Sequence, residues 1–444
     1  MQRDLTCGPI TGNLLKFAFP LMIGNLLQQF YNIADTWIVG RFLGPRALAA
    51  VGSSYTLMVF LTSILLGLCM GSGAAFSICY GQKDFDRLKR SMFLSFLLIL
   101  AVTLILNTAV YIFLVPIIRL LRVPEEVIPL MEDYLSVIFA GIFATFIYNF
   151  FANLLRALGN SAVPLVFLAV SAVLNILLDL LFVVVFGWGV RGAAIATTAA
   201  QYVSGTGIFI YTLFCFPQLR IQRKHMIPDF RLLRELASLS FLTCVQQSIM
   251  NFGILMVQGL VNSFGTAVMA AFAAAVKIDS FAYMPVQDFG NAFSTFVAQN
   301  YGAKKKERIM RGIRSAVFCV LGFCMVISIL VCVFAGPLMT IFIDPSEKEI
   351  IAAGVHYLRI EGAFYAGIGI LFLLYGYYRA VRMPGMSVIL TVISLGTRVL
   401  LAYTLSSVPA IGVTGIWVSV PIGWFLADLT GILYYHLSTG DRKL

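Results

Sequence analysis

The chain has 444 residues, of which 60% are hydrophobic and 11% charged, with a formal net charge of +11 and a mean hydropathy of +0.92. A soluble protein carries roughly 25% charged residues, so the composition excludes a water-soluble globular protein. The surplus of Lys and Arg then bears on membrane orientation and not on nucleic acid.

A spanning helix takes about 20 residues. Twelve apolar segments meet that length, near 14–39, 47–76, 92–116, 128–155, 162–186, 190–215, 236–262, 267–298, 313–341, 352–378, 384–406 and 411–437. The first is too long for a cleavable signal peptide and lacks a small-x-small cleavage site. It carries Asp35, and on a helix Asn25, Gln28, Asn32 and Asp35 form one polar stripe. An ionisable residue at membrane depth costs roughly 2.5 to 3.5 kcal/mol on insertion scales and is read as a functional site. Pro20 lies about four turns earlier in the same segment, where a proline makes either a static kink or a hinge. The fourth segment contains Asn153. In the fifth, Ser171, Asn175 and Asp179 recur every four residues and share a face, and the sixth brings Thr197. Further charges fall in or near later segments: Lys277, Asp279 and Asp288 in the eighth, Glu361 in the tenth, Arg398 in the eleventh and Asp428 in the twelfth.

With the amino terminus inside, the loops that collect Arg3, Lys83 to Arg90, Arg220 to Arg234, Lys304 to Arg314, Arg442 and Lys443 face the cytoplasm. Arg41, Arg46, Arg119, Arg122, Arg191, Lys348 and Arg359 fall on the other side. This asymmetry places both termini in the cytoplasm and makes the number of spans even. The basic runs at 217–234 and 304–308 read as anchors near anionic membrane lipid. The chain also repeats at an offset close to 222: Tyr80 to Arg90 matches Tyr301 to Arg311, Gly44 matches Gly265, and Gly189 with Gly192 matches Gly412 with Gly415. Two six-span halves, 1–216 and 235–444, joined by a cytoplasmic linker at 217–234, are therefore related by a parallel repeat, with substrate between them.

Asp35, Asn175, Asp179 and Thr197 supply only oxygen ligands and two titratable carboxylates, a set suited to Na+ or to a bound proton; the alternative is polar glue between helices. The second half does not reproduce the pattern, since the repeat positions hold Met256, Arg398 and Ala402. There Lys277 and Arg398 neutralise Asp279 and Glu361 as internal pairs, or these four take part in substrate binding or coupling. Gln28, Asn32 and Asn153 are candidates for the lining of a substrate cavity. The eight cysteines show no metal-type CxxC and are expected as free thiols. No Walker A, catalytic triad spacing or GxGxxG gives a reason to expect an enzyme or a cofactor other than the coupling ion.

The FAFPLMIGNLLQQFYNIADTWIVGRFLG opening, the YGQKD and QNYGAKK loops, RALGN and NILLD together resemble the multidrug and toxic compound extrusion (MATE) family over about Leu14 to Tyr435. That resemblance implies an all-α membrane fold of twelve helices in two six-helix bundles forming a V. It further implies export of amphipathic organic compounds, cationic ones foremost, in exchange for Na+ or H+, by a protein that acts as a monomer. Asp35, Asn175 and Asp179 match the cation site of the family's DinF-like branch, Thr197 or Thr198 its sixth-span hydroxyl, and Pro20 its bending proline. The NorM-like branch uses a seventh-span glutamate and a tenth-span aspartate, where this chain reads CVQQSIMNFG and has no aspartate near Tyr375. A flippase for a lipid-linked precursor is the alternative within the same superfamily architecture.

Overall fold

The computed structural model describes residues 4–120 and 125–441; Arg3, Arg122, Arg442 and Lys443 of the orientation argument lie outside them. Every regular element among the described residues is helical. Helices α1 (Ile10–Leu43), α2 (Pro45–Gly81) and α3 (Phe85–Leu120) are followed by α4 (Ile128–Ala140), α5 (Ile142–Ala157), α6 (Ala162–Asp179) and α7 (Gly189–Cys215). After two short 3₁₀ turns come α8 (Phe230–Asn262), α9 (Thr266–Gly302), α10 (Lys306–Met339), α11 (Lys348–Gly362), α12 (Tyr365–Ala380), α13 (Pro384–Ser406) and α14 (Thr414–Asp441). Nine of these helices, one of them α6 with its continuation to Val185, have the length and apolar character to cross a membrane, as do two bent pairs. With α7, which is 27 residues long but rich in Gly, Ala and Thr, twelve crossings are complete.

The fourth and tenth spans are bent: α4 and α5 meet at 43°, and α11 and α12 at 51°. Each break comes at a glycine, Gly141 and Gly362, against which neighbouring side chains already press. Several helices also run well past the apolar segments. At 1.5 Å per residue, the 37 residues of α2 reach about 55 Å, beyond a hydrocarbon core of about 30 Å.

The sequence repeat reappears as repeated backbone geometry. Lys83 and Lys304 both adopt positive φ, 58° and 55°, uncommon for a residue with a Cβ. In both loops the next amide closes the helix end: Asp84 N–H donates to Cys79 O, and Lys305 N–H to Asn300 O. Gly159 and Arg382 form a second such pair, with φ of 82° and 63°.

The chain forms two compact units, one comprising Phe19–Cys244 and the other Leu5–Ala18 together with the chain from Val245 on. The 217–234 stretch thus belongs to the first unit. There it is pinned and not free: the fully buried His225 accepts the Gln222 N–H at Nδ1, 3.0 Å, which leaves its proton on Nε2 to donate to Asp86, 2.8 Å. Lys224 also reaches Asp86, and Arg87 pairs with Glu235 at 2.9 Å. Edge-to-face contacts of Phe76, Phe96 and Phe150 fill the first unit's core. In the second unit Phe272 stacks on Trp417. There the segment before α1 is clasped through its carbonyls: Arg308 donates to Leu5, Cys7 and Gly8, and Lys305 to Thr6. Lys305 and Arg308, expected to face lipid, therefore hold protein backbone.

Gly67 and Gly71 of α2 lie against the first half of α8 so closely that an added Cβ would come 2.5 Å from Cys244 Cα and 2.5 Å from Ser240 Cα. Small residues four apart let helix backbones meet, and the hydrogen bond between the Ser72 and Ser240 hydroxyls, 2.9 Å, reinforces the contact. Overpacking of this kind costs about 1–3 kcal/mol, and here the opposing atoms are backbone. Gly71→Ala is expected to lower the melting temperature of the detergent-purified protein by several degrees. Gly52→Ala, whose Cβ meets nothing within 4 Å, is the control expected to leave it unchanged.

Candidate functional site

The first unit buries two carboxylates together. Asp35 is 9% exposed on α1, and Asp179, the last residue of α6, is wholly buried. Their carboxyl groups come within hydrogen-bonding reach of each other. One oxygen of each, Oδ1 in both cases, has no hydrogen-bond partner. The Asn175 carboxamide, oriented so that both its ends are satisfied, donates to Asp179 Oδ2 at 3.3 Å and accepts from the Thr197 hydroxyl at 3.1 Å and the Thr197 N–H at 3.2 Å. Asn175 and Thr197 thus connect α6 to α7 and hold one face of the carboxylate pair in place.

A π-helical segment, Leu180–Val185, begins directly after Asp179. Such widened turns recur at functional sites, and within this one the Phe182 carbonyl lies against Gly192 of α7. Tyr31 and Tyr134 stand close enough to Asp35 to act on it electrostatically, Tyr134 also on Asp179. Neither tyrosine was singled out from sequence as part of the site.

Other expected residues are placed elsewhere. Ser171 leaves the stripe to donate to Ala200 O on α7. Thr198 donates to Val137 O, so Thr197 is the hydroxyl at the site. Gln28 is exposed and Asn32 half-buried. Asn153 donates to Asn149 O in its own helix and packs against Gly73 of α2, a helix-packing position. Pro20 lies within α1, two residues beyond the point where that helix passes from one compact unit to the other. In the second unit Lys277 is exposed with its ammonium 5.9 Å from the Phe342 ring, while Asp279, Glu361 and Arg398 are brought together. The expected ion pairing of Lys277 with those carboxylates does not form, because Lys277 is exposed on α9 while Asp279 is buried; Arg398 is near enough to act on both carboxylates electrostatically.

Two buried carboxyls, each with an oxygen left without a partner, have the chemistry to share a proton or to offer oxygen ligands to a small cation. Na+ asks for more oxygen ligands than these, and the Asn175 carboxamide oxygen is already taken by the Thr197 hydroxyl and N–H. Twelve helical crossings define a polytopic membrane protein. The MatE family model matches residues 20–181 and 240–404. The chain is 32% identical to the probable multidrug resistance protein YpnP of Bacillus subtilis, over 98% of this chain and 96% of that protein. It is 26% identical to the probable multidrug resistance protein NorM of Thermotoga maritima, over 98% and 94%. The crystal structure of a mutant of the Vibrio cholerae MATE transporter VcmN has the same fold, with a TM-score of 0.91 at 23% identity and 98% coverage of both chains. The chain belongs to the MatE family of membrane transporters.

A ligand that binds only the folded protein stabilises it by mass action, about 2.7 kcal/mol at one hundred times its Kd. Exchanging choline for Na+ at constant ionic strength is expected to raise the melting temperature of the native protein if the site takes Na+; acidification alone does so if it takes H+. Asp179→Asn loses the shift. A native protein indifferent to both would remove the cation site.

Proposed function

We propose that the protein is a multidrug efflux antiporter of the cytoplasmic membrane, with both termini in the cytoplasm. It exports lipophilic organic compounds, cationic ones foremost, in exchange for Na+ or H+, and its coupling site is the first-half site of the DinF-like branch. The observation that carries this reading is the Asp35–Asp179 pair, two buried carboxyls each with an oxygen left without a partner.

Coupling requires that the ion bind one state of the carrier better than the other. Asp35 sits on the one helix of its site that belongs to both compact units. A cation arriving between Asp35 and Asp179 draws α1 toward α6; a departing one leaves two like charges to push them apart. Pro20 has no N–H to offer Lys16 O, so α1 bends there at least cost. Substrate loads from the cytoplasmic side while the site is empty, the carrier turns outward, and the incoming ion changes the packing of α1 and lowers the affinity for substrate. A flippase cargo with a pyrophosphate headgroup would ask for several basic side chains in the spans. Away from the span ends the sequence offers Lys277 and Arg398, and Arg398 already stands beside two carboxylates.

The test is efflux of a lipophilic cationic dye from proteoliposomes under a Na+ gradient or a pH gradient imposed separately. One gradient is expected to drive native efflux, and Asp35→Asn, inserted at native levels, is expected to reduce it at least tenfold. Normal pumping by that variant would overturn the mechanism. Failure of both gradients to move dye through well-inserted native protein would overturn the cargo assignment.

A further inference from the structure

The second unit contains a buried polar cluster that the coupling site does not use. Asp279 of α9 is 5% exposed and Glu361, in the last turn of α11, is 1% exposed. The Tyr365 hydroxyl of α12 donates to Asp279 Oδ1 at 2.6 Å. The Asp279 and Glu361 carboxyls lie within hydrogen-bonding reach of each other and of the Tyr357 hydroxyl, and Arg398 of α13 is close enough to act on both. Glu361 Oε1 and Arg398 Nε have no hydrogen-bond partner. The other titratable groups facing the cluster are the Tyr283 hydroxyl of α9 and the Cys332 thiol of α10.

Two carboxylates and one guanidinium leave a single uncompensated negative charge away from water, and an uncompensated buried charge is strongly disfavoured. One proton balances it, and an oxygen without a partner is there to take part. Na+ does not fit: a fixed guanidinium already stands beside the two carboxyls and would repel a second cation. The repeat shows how this arises. Tyr357 corresponds to Tyr134, which adjoins Asp35 and Asp179, while Arg398 stands where the first half has Asn175, and Ala402 where it has Asp179. The second unit holds a built-in cation at the place where the first has a neutral carboxamide, and its carboxyls come from different helices.

We propose that Asp279 and Glu361 form a second, proton-selective site in which one exchangeable proton is shared beside Arg398. On acidification a proton from the aqueous phase joins the carboxyl pair and the cluster passes from a net charge of −1 to zero; on alkalinisation the proton returns to water. Glu361 directly precedes Gly362, at which α11 breaks toward α12, so this charge change acts at a joint of the helix. Proton binding here is independent of the antiport reading, and its measurement does not use transport.

The test is acid-minus-alkaline infrared difference spectroscopy of the purified protein in lipid, on an Asp35→Asn/Asp179→Asn background that silences the first-unit pair. A protonated-carboxyl C=O band is expected to appear on acidification, to be lost when Glu361→Gln is added, and to be insensitive to Na+. Asp279→Asn, which leaves a simple Glu361–Arg398 pair, is expected to remove the same band and serves if Glu361→Gln does not fold. A band that survives both substitutions, a band present at every pH, or one displaced by Na+ would overturn the proposal. Loss of dye efflux in Asp35→Asn bears on the antiport mechanism alone, so the two failures are distinguishable.

Discussion

The buried pairing of Asp35 with Asp179 is the constraint around which the polar residues of the first unit are arranged. Two like charges buried side by side disfavour each other's ionised form. The surroundings serve this constraint: Asn175 and Thr197 fix one side of the pair, Tyr31 and Tyr134 approach from another, and the helix of Asp179 widens into a π turn directly after it.

The two halves share a scaffold and differ in charge. Their backbones turn in the left-handed region at corresponding residues, Lys83 with Lys304 and Gly159 with Arg382, and their fourth and tenth spans break at comparable angles. On that common frame the first half places carboxylates and amides and the second an arginine among carboxylates. Repetition of the backbone with divergence of the charges gives one unit a carboxyl pair beside a neutral carboxamide and the other a carboxyl pair beside an arginine.

Much of the basic charge that composition assigns to the membrane surface is spent on protein. His225, Lys224, Asp86, Arg87 and Glu235 bind the connecting stretch to the first unit, and Lys305 and Arg308 clasp the carbonyls of Leu5 to Gly8 in the second. Both α1 and α8 pass from one unit to the other, α1 beside Pro20 and α8 at Cys244, next to the close contact with Gly67.

The sequence by itself determined the membrane class, the twelve crossings and the repeat, and it picked out Asp35, Asn175, Asp179 and Thr197, which the fold brings together. Hydrophobic run length, a 222-residue offset and a carboxylate in an apolar helix are local or periodic signals that need no fold to be read. Asn175 and Asp179 were legible because four-residue spacing on a helix dictates a shared face. Only the tertiary structure decided which polar residues of a stripe meet a partner: Ser171 and Asn153 are consumed by helix packing, and Thr197 is chosen over Thr198. It also decided that Lys277 turns away while Arg398 joins Asp279 and Glu361, residues 37 to 119 positions apart along the chain. Contacts over such distances depend on how helices rotate and bend against one another, at Gly141, Gly362 and the π turn, and no periodicity in the chain encodes them.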